Sequence, residues 1–252
     1  MIIQSHCNIL VIGNGDSFTQ IDYQRLPEKY KVMRFNEFYK EDKYYAGKKV
    51  DYVLGYSKHL DETYFKLRII HMNGEYEIDS IHGMYATVLF ETNKHFPSVK
   101  LATPLIQENI AIAEFRCFYE YYYEQYLPTG MQGIALAATL GFDNIYLAGF
   151  DFFLNSDSSH PWDKEKLTLD QYSHIHSRHP QNIQIEFLKL LQQEFPKTKF
   201  LSVSEKSPIN QYIEMAPVIS QNTNYSIESK KEDRTIDITI PECVRNKERR
   251  FL

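Results

Sequence analysis

A chain of 252 residues with 43% hydrophobic and 24% charged residues has the composition of an ordinary soluble protein and room for one large domain. Its formal net charge of −5, with no basic stripe interleaved with aromatics, disfavours a nucleic-acid partner. Cys7, Cys117 and Cys243 are odd in number and scattered, so they form neither a disulfide framework nor a metal knuckle, and a reducing cytoplasm is the expected location.

The amino terminus carries no charged leader or cleavage site, and its apolar run is too short to span a membrane. Asn8 to Ile12 (NILVI) is the first expected strand, followed by the loop Gly13-Asn14-Gly15-Asp16-Ser17. A strand, a glycine loop and a helix start together present backbone N–H groups to a phosphate or carboxylate. The dinucleotide fingerprint is incomplete, because Phe18 stands where its third glycine would be. A second strand, Lys31 to Phe35, ends at Asn36 and Glu37, where a nucleotide-binding sheet meets a ribose or base. A third strand is expected from Tyr52 to Leu54, and a helix from Asp61 to Ile70. From Asn73 to Lys100 short strands and turns alternate. Leu105 to Tyr126 reads as one long amphipathic helix ending in Tyr119, Tyr121, Tyr122, Tyr123 and Tyr126, a stripe of the kind that usually packs.

Thr129 to Phe153 organises the rest. Thr129 is a candidate N-cap, Gly130 to Leu140 a helix rich in small residues, and Gly141 its left-handed terminator. Asn144 to Gly149 is an apolar run suited to a strand buried on both faces. Phe150, Asp151, Phe152 and Phe153 follow directly, where open α/β sheets bind ligands. Leu154 to Asp170 is polar and irregular and holds the single tryptophan, so it is read as a lid. Gln184 to Phe195 is a helix, Lys199 to Val203 a last strand and Ile209 to Met215 a short helix. The charged tail, with Arg245, Lys247, Arg249 and Arg250, is either solvated or weakly drawn to anionic lipid. Alternating strands and helices imply an α/β fold with a mostly parallel sheet covered on both faces.

His174, His176 and His179, with Asp170 upstream, admit three readings. They could ligate a metal, one histidine could serve as a general base near neutral pH, or all could be surface residues. A flexible loop is a poor host for a closed metal shell, which counts against the first.

Blocks distributed in order along nearly the whole chain resemble the bacterial sialyltransferases that decorate lipooligosaccharide. They are Gly13-Asn14-Gly15, Arg34 to Tyr39, Glu41 to Tyr45 with Gly47-Lys48-Lys49, Leu140-Gly141-Phe142 with Ile145-Tyr146-Leu147, Gly149 to Phe152, His176-Ser177 and Ile213 to Pro217. The resemblance implies a Rossmann-like sheet of the variant GT-A type with a small lid, residues 1–153 and 187–252 binding the nucleotide sugar and 154–186 closing over it. It implies CMP-sialic acid as donor, a galactoside-type glycan acceptor, inversion at the anomeric carbon, no metal or other cofactor, and a homo-oligomer at or near the inner membrane face. Another CMP-activated nonulosonic acid or Kdo as donor, and a non-catalytic CMP-sugar-binding protein, are the alternatives.

By the same resemblance, Asn14, Gly15 and Ser17 lie along the nucleotide and Asn36 and Glu37 near the cytidine or phosphate. Thr129 and Gly130 meet the donor sugar and its carboxylate, Phe150, Asp151 and Phe152 the nucleoside, and His176 is the base. The chain departs from the pattern at several positions. Tyr56 replaces an asparagine near the donor sugar. Tyr126 replaces an acceptor-side arginine, and Pro128 a threonine beside it. Phe153 and His160 replace two tyrosines that bind the leaving phosphate, leaving His160 and Tyr172 as candidates for that contact.

Overall fold

The computed structural model describes residues 6–55, 60–84, 99–154, 160–162, 166–219, 226–230 and 238–239. Eight strands make one sheet: β1 (His6–Ile12), β2 (Lys31–Phe35), β3 (Lys49–Gly55), β4 (Glu77–Gly83), β5 (Val99–Leu101), β6 (Phe142–Ala148), β7 (Lys199–Ser202) and β8 (Glu214–Met215). Their order is β5-β4-β3-β2-β1-β6-β7-β8, and every neighbouring pair is parallel. The chain therefore builds outward from β1 in one direction as far as β5, then returns to β6 and builds in the other. The switch falls between β1 and β6, the place where such sheets open a crevice beyond their carboxyl ends.

The central strands are apolar on both faces because both are covered. Ile9 and Val11 of β1 enter one core with Met33, Phe35, Ile145 and Leu147, whereas Leu10 and Ile12 enter another with Phe18, Tyr146 and Ala148. A third cluster joins Val50 and Val53 to Tyr64, Leu67 and Ile70 of α1 (Leu60–Met72). The other helices are α2 (Thr103–Gln107), α3 (Ile110–Tyr123), α4 (Thr129–Thr139), α5 (Leu169–Arg178) and α6 (Gln181–Glu194).

α4 is the central helix. Its residues from Met131 to Ala138 are all buried against strands β1, β2, β3 and β6 and against α6. The glycine at 133 permits this: a Cβ there would stand 2.2 Å from the Phe35 ring. Gly141 closes the helix with φ +82°, as its sequence position implies. Thr129 is the first helical residue rather than the cap, which is Pro128.

Other expectations change as well, among them the short helix at Ile209 to Met215, which is a 3-10 turn (Pro208–Gln211) followed by β8. The long helix from 105 to 126 is two helices, because the Asn109 side chain accepts the Ile112 N–H at 3.1 Å and starts a new one. The tyrosine stripe is not packing: Tyr121, Tyr122 and Tyr123 are exposed, and only Tyr119 joins the core and reaches Glu186. Residues 169–178 are a helix rather than a loop, started by a capping box in which Thr168 and Gln171 exchange side-chain and backbone hydrogen bonds. The stretch 154–186 thus contains α5 and the first turns of α6, and residues 155–159 and 163–165 within it lie outside the described residues. So do Tyr56, Cys243 and the basic positions 245–250. Among the described residues no helix is long and apolar enough to cross a membrane.

Candidate active site

A cavity of about 380 Å³ lies at the strand-order switch, a size suited to small-molecule ligands, which occupy roughly 300–1,000 Å³. Its floor is two loops, Gly13–Asp16 after β1 and Gly149–Phe153 after β6. The Gly13 N–H donates to Ala148 O at 2.8 Å and the Gly15 N–H to Gly149 O at 3.0 Å. The two backbones touch: a Cβ on Gly13 would lie 2.2 Å from the Gly149 carbonyl oxygen, and Gly149 itself has φ +72°. Glycine is required at both positions for steric reasons.

Asp151 fastens these loops together. Its carboxylate accepts the Ser17 N–H at 2.7 Å, the Ser17 hydroxyl, and the Ser207 hydroxyl at 3.3 Å. Burial, the larger influence, holds the Asp151 carboxyl above the usual carboxylate range, while the serine donors pull it down. Ser17 is buried beneath the floor and does not line the cavity, so its role in the structure is to hold Asp151. Phe152 and Phe153 follow with φ +53° and +56°, two consecutive left-handed residues without the freedom of glycine. Such strain gathers at functional sites. Both line the cavity; Phe152 is also core, packed edge-on against Tyr212.

One wall is the start of α4. Thr129 and Gly130 both line the cavity, and the Phe150 ring lies so close to Gly130 that a Cβ there would meet it at 3.0 Å. Pro128 supplies no side-chain cap, so the first N–H groups of this eleven-residue helix remain available to an anion. The second wall is the end of β2. Asn36 lines the cavity in a left-handed conformation, φ +48°. Asn14 Nδ2 donates to Phe35 O at 3.1 Å, which leaves its Oδ1 buried with no partner among the described residues. Glu37 lies outside the lining and is engaged by Lys40 Nζ at 2.6 Å and the Tyr39 hydroxyl at 3.2 Å.

The rim comes from His160 and α5. His160 lies flat on Trp162, with ring centroids 5.1 Å apart and planes within 7°. His174, Ile175, Arg178 and His179 line the cavity; His176 and Tyr172 stand behind it. His176 Nε2 is 2.8 Å from the Phe153 carbonyl oxygen, and the Tyr172 ring packs on the imidazole at 4.2 Å. Tyr126 lines the cavity and is tied to the end of α5: its N–H donates to Arg178 O at 2.7 Å, and His179 Nδ1 lies 2.6 Å from its carbonyl oxygen. Burial lowers the His179 pKa, partly opposed by that carbonyl. Among the described residues no group of three or more His, Cys, Asp or Glu side chains is arranged to hold a metal ion. The three histidines therefore do not converge. The sequence assigned nothing to Arg178 and gave His179 only a place in the histidine cluster, although both occupy the last turn and cap of a helix whose start is signalled by Thr168-x-x-Gln171.

Fold and cavity together define an α/β protein with a cavity where two glycine loops and a helix N-terminus meet at the switch of a parallel sheet. A family model described as Alpha-2,3-sialyltransferase (CST-I) matches residues 7–250, and the chain belongs to that family. It is a glycosyltransferase. The structure of the sialyltransferase CstII from Campylobacter jejuni with cytidine-5'-monophosphate is 30% identical, with a TM-score of 0.82 over 97% of this chain and 98% of that one. CST-II with a trisaccharide acceptor and CMP is 29% identical, with a TM-score of 0.78 over 93% and 95% of the two chains. The monofunctional alpha-2,3-sialyltransferase Cst-I from Campylobacter jejuni is 28% identical, with a TM-score of 0.78 over 93% and 88%. No curated protein matches the chain.

Proposed function

We propose that the chain transfers sialic acid from CMP-sialic acid to a galactoside-type acceptor of a surface glycan such as lipooligosaccharide, with inversion and without a metal ion. The observation that carries this reading is the cavity at the β1/β6 switch, lined by Asn14 of the first glycine loop and by Thr129 and Gly130 at the uncapped start of α4. Asn14, Gly15 and Asn36 hold the nucleotide, and Phe150 the nucleoside. Thr129 and Gly130 hold the acidic sugar, whose negative charge the helix N-terminus favours. His160 and, less directly, Tyr172 serve the phosphate.

In the reaction the acceptor hydroxyl oxygen forms a bond to the anomeric carbon and the bond from that carbon to the phosphate oxygen breaks. CMP leaves with the electron pair, and His176 takes the hydroxyl proton. His160 and α5, at the rim of the cavity, keep water from hydrolysing the donor. The charged C-terminal residues give weak attraction to anionic lipid at the cytoplasmic face, and the working form is a homo-oligomer.

The test is incubation with CMP-sialic acid and a panel of galactosides, following CMP release and product mass. Equal amounts of CMP and sialylated product are expected. Turnover with CMP-Kdo alone, or CMP binding with no turnover, would replace the reading. CMP and CDP should raise the melting temperature, since a ligand of the native state stabilises by mass action, and UDP and GDP should do so much less.

A further inference from the structure

Among the described residues lining the cavity, Arg178 is the single lysine or arginine. It sits in the last turn of α5, where a cation also suits the helix dipole. Its guanidinium carbon lies 4.9 Å from the centroid of the Tyr126 ring. Backbone hydrogen bonding between Tyr126 and Arg178, and from His179 to the Tyr126 carbonyl, fixes ring and arginine relative to each other. No carboxylate forms an ion pair with Arg178 among the described residues.

A guanidinium laid on an aromatic face keeps its planar edge of N–H donors free. That edge matches the two oxygens of a carboxylate better than a lysine's point charge does. Nearby carboxylates do not consume it: Asp151, on the floor, is occupied by Ser17 and Ser207. The first turn of α4, at buried Thr129, is a separate anion-favouring element, while Arg178 is exposed at the mouth. The cavity therefore offers two positions for negative charge, one deep and made of backbone, one at the rim and made of a pre-oriented side chain.

We propose that Arg178, held on Tyr126, reads a carboxylate of the substrate at the mouth of the cavity. This rests on the sialyl-transfer reading above, in which the donor sugar carries a carboxylate and an acceptor can end in one. Both sources present the same chemistry to Arg178, and kinetics separate them.

The test compares wild type, Arg178→Met and Arg178→Lys with CMP-sialic acid and two acceptors, a neutral lactoside and the same lactoside ending in a carboxylated sugar. Methionine keeps the apolar stem on Tyr126 and removes the charge. Loss of a charge-assisted hydrogen bond should cost about 10–100-fold. If the acceptor carboxylate is read, the ratio of kcat/KM for the acidic over the neutral acceptor falls by that factor in Arg178→Met, and lysine restores part of it. If the donor carboxylate is read, the ratio of binding affinities for CMP-sialic acid over CMP falls instead, with either acceptor. Both ratios staying within about threefold of wild type would overturn the assignment. A wild-type chain that turns over neither acceptor removes the transfer reading itself; direct binding titrations of the two lactosides and of CMP-sialic acid against CMP then decide Arg178 independently.

Discussion

His176 Nε2 lies 2.8 Å from the carbonyl oxygen of Phe153, a residue held in the left-handed conformation at φ +56°. A carbonyl only accepts, so Nε2 carries the hydrogen and the lone pair of the neutral ring is on Nδ1. The unusual backbone after β6 thereby sets a tautomer on α5. The ring is fixed further by Tyr172, one turn earlier on the same helix. This is the arrangement by which a general base is oriented in advance through its second nitrogen.

From that geometry, His176→Ala should lower the transfer rate by about 10²–10⁴-fold, the usual worth of a general base. Donor affinity, read as the shift in melting temperature with CMP, should change little, because the base acts on the acceptor hydroxyl and not on the nucleotide. Near-normal turnover in this variant would move the base to another group, and His174 on the same helix is the first to test.

Asp151 is expected to matter more for the floor than for direct contact. Removing its carboxylate leaves the buried Ser17 N–H and hydroxyl without their acceptor and frees the two glycine loops from each other. Asp151→Ala should destabilise the chain by about 1–3 kcal/mol in urea unfolding, the cost of unsatisfied buried donors. CMP affinity should fall with it. Wild-type stability in Asp151→Ala would show that the loops are held by their backbone hydrogen bonds alone.

Much of this site follows from local sequence. The apolar runs of β1, β2 and β6, the glycine loop after β1 and the Gly141 terminator are each visible because one stretch determines each of them. Strand β4, Glu77–Gly83, next to the edge strand β5, is only partly apolar, so its pairing with β3 comes from the sheet and not from its own pattern. Strand order is likewise a tertiary property, and with it the meeting of Gly13 with Gly149. Arg178 was legible as a residue but not as part of the cavity, because its partner Tyr126 lies 52 positions earlier. Ser17 was assigned to the nucleotide, yet its neighbour is Asp151, and no sequence signal links residues so far apart.

Acid should destabilise the protein partly through His82. It is 3% exposed in β4, with Nε2 3.2 Å from Ser80 Oγ and Nδ1 without a partner among the described residues, and it faces Lys100 across the β4–β5 register. Burial, and after it the Lys100 charge, lowers its pKa from 6.5 to about 4. Because the folded state binds this proton less readily than the unfolded chain, stability is full above about pH 6.5 and falls as the pH drops toward about 4. The accumulated loss is roughly 3 kcal/mol. In His82→Gln, which keeps a donor for Ser80, the difference in unfolding free energy from wild type should change across that interval. A difference that stays constant from pH 7 to pH 4 would exclude His82 as the source.

The phosphate end of the donor is where the chain departs furthest from the sialyltransferases it resembles. Phe153 and His160 stand where that resemblance places two phenols, and both line the cavity. Phe153 has no donor to give, and its ring is stacked on His179 at 5.8 Å. One preorganised donor to a leaving group is worth about 10²–10³ in rate, so an active enzyme needs a replacement. His160 meets the requirement. An imidazole N–H can donate to a phosphate oxygen in place of the missing phenol. Tyr172 is less well placed, because its ring is spent on His176 and lies outside the lining. His160→Phe should therefore slow CMP release by about 10²-fold or more, while the ring retained on Trp162 preserves the local packing. Phe153→Tyr should keep or raise activity by restoring a phenol, and Tyr172→Phe should have the smallest effect of the three. Single-turnover CMP release in the three variants decides the order. An indifferent His160 with a crippled Phe153→Tyr would show that the phosphate is held elsewhere and that Phe153 serves only to pack His179 and aim its carbonyl at His176.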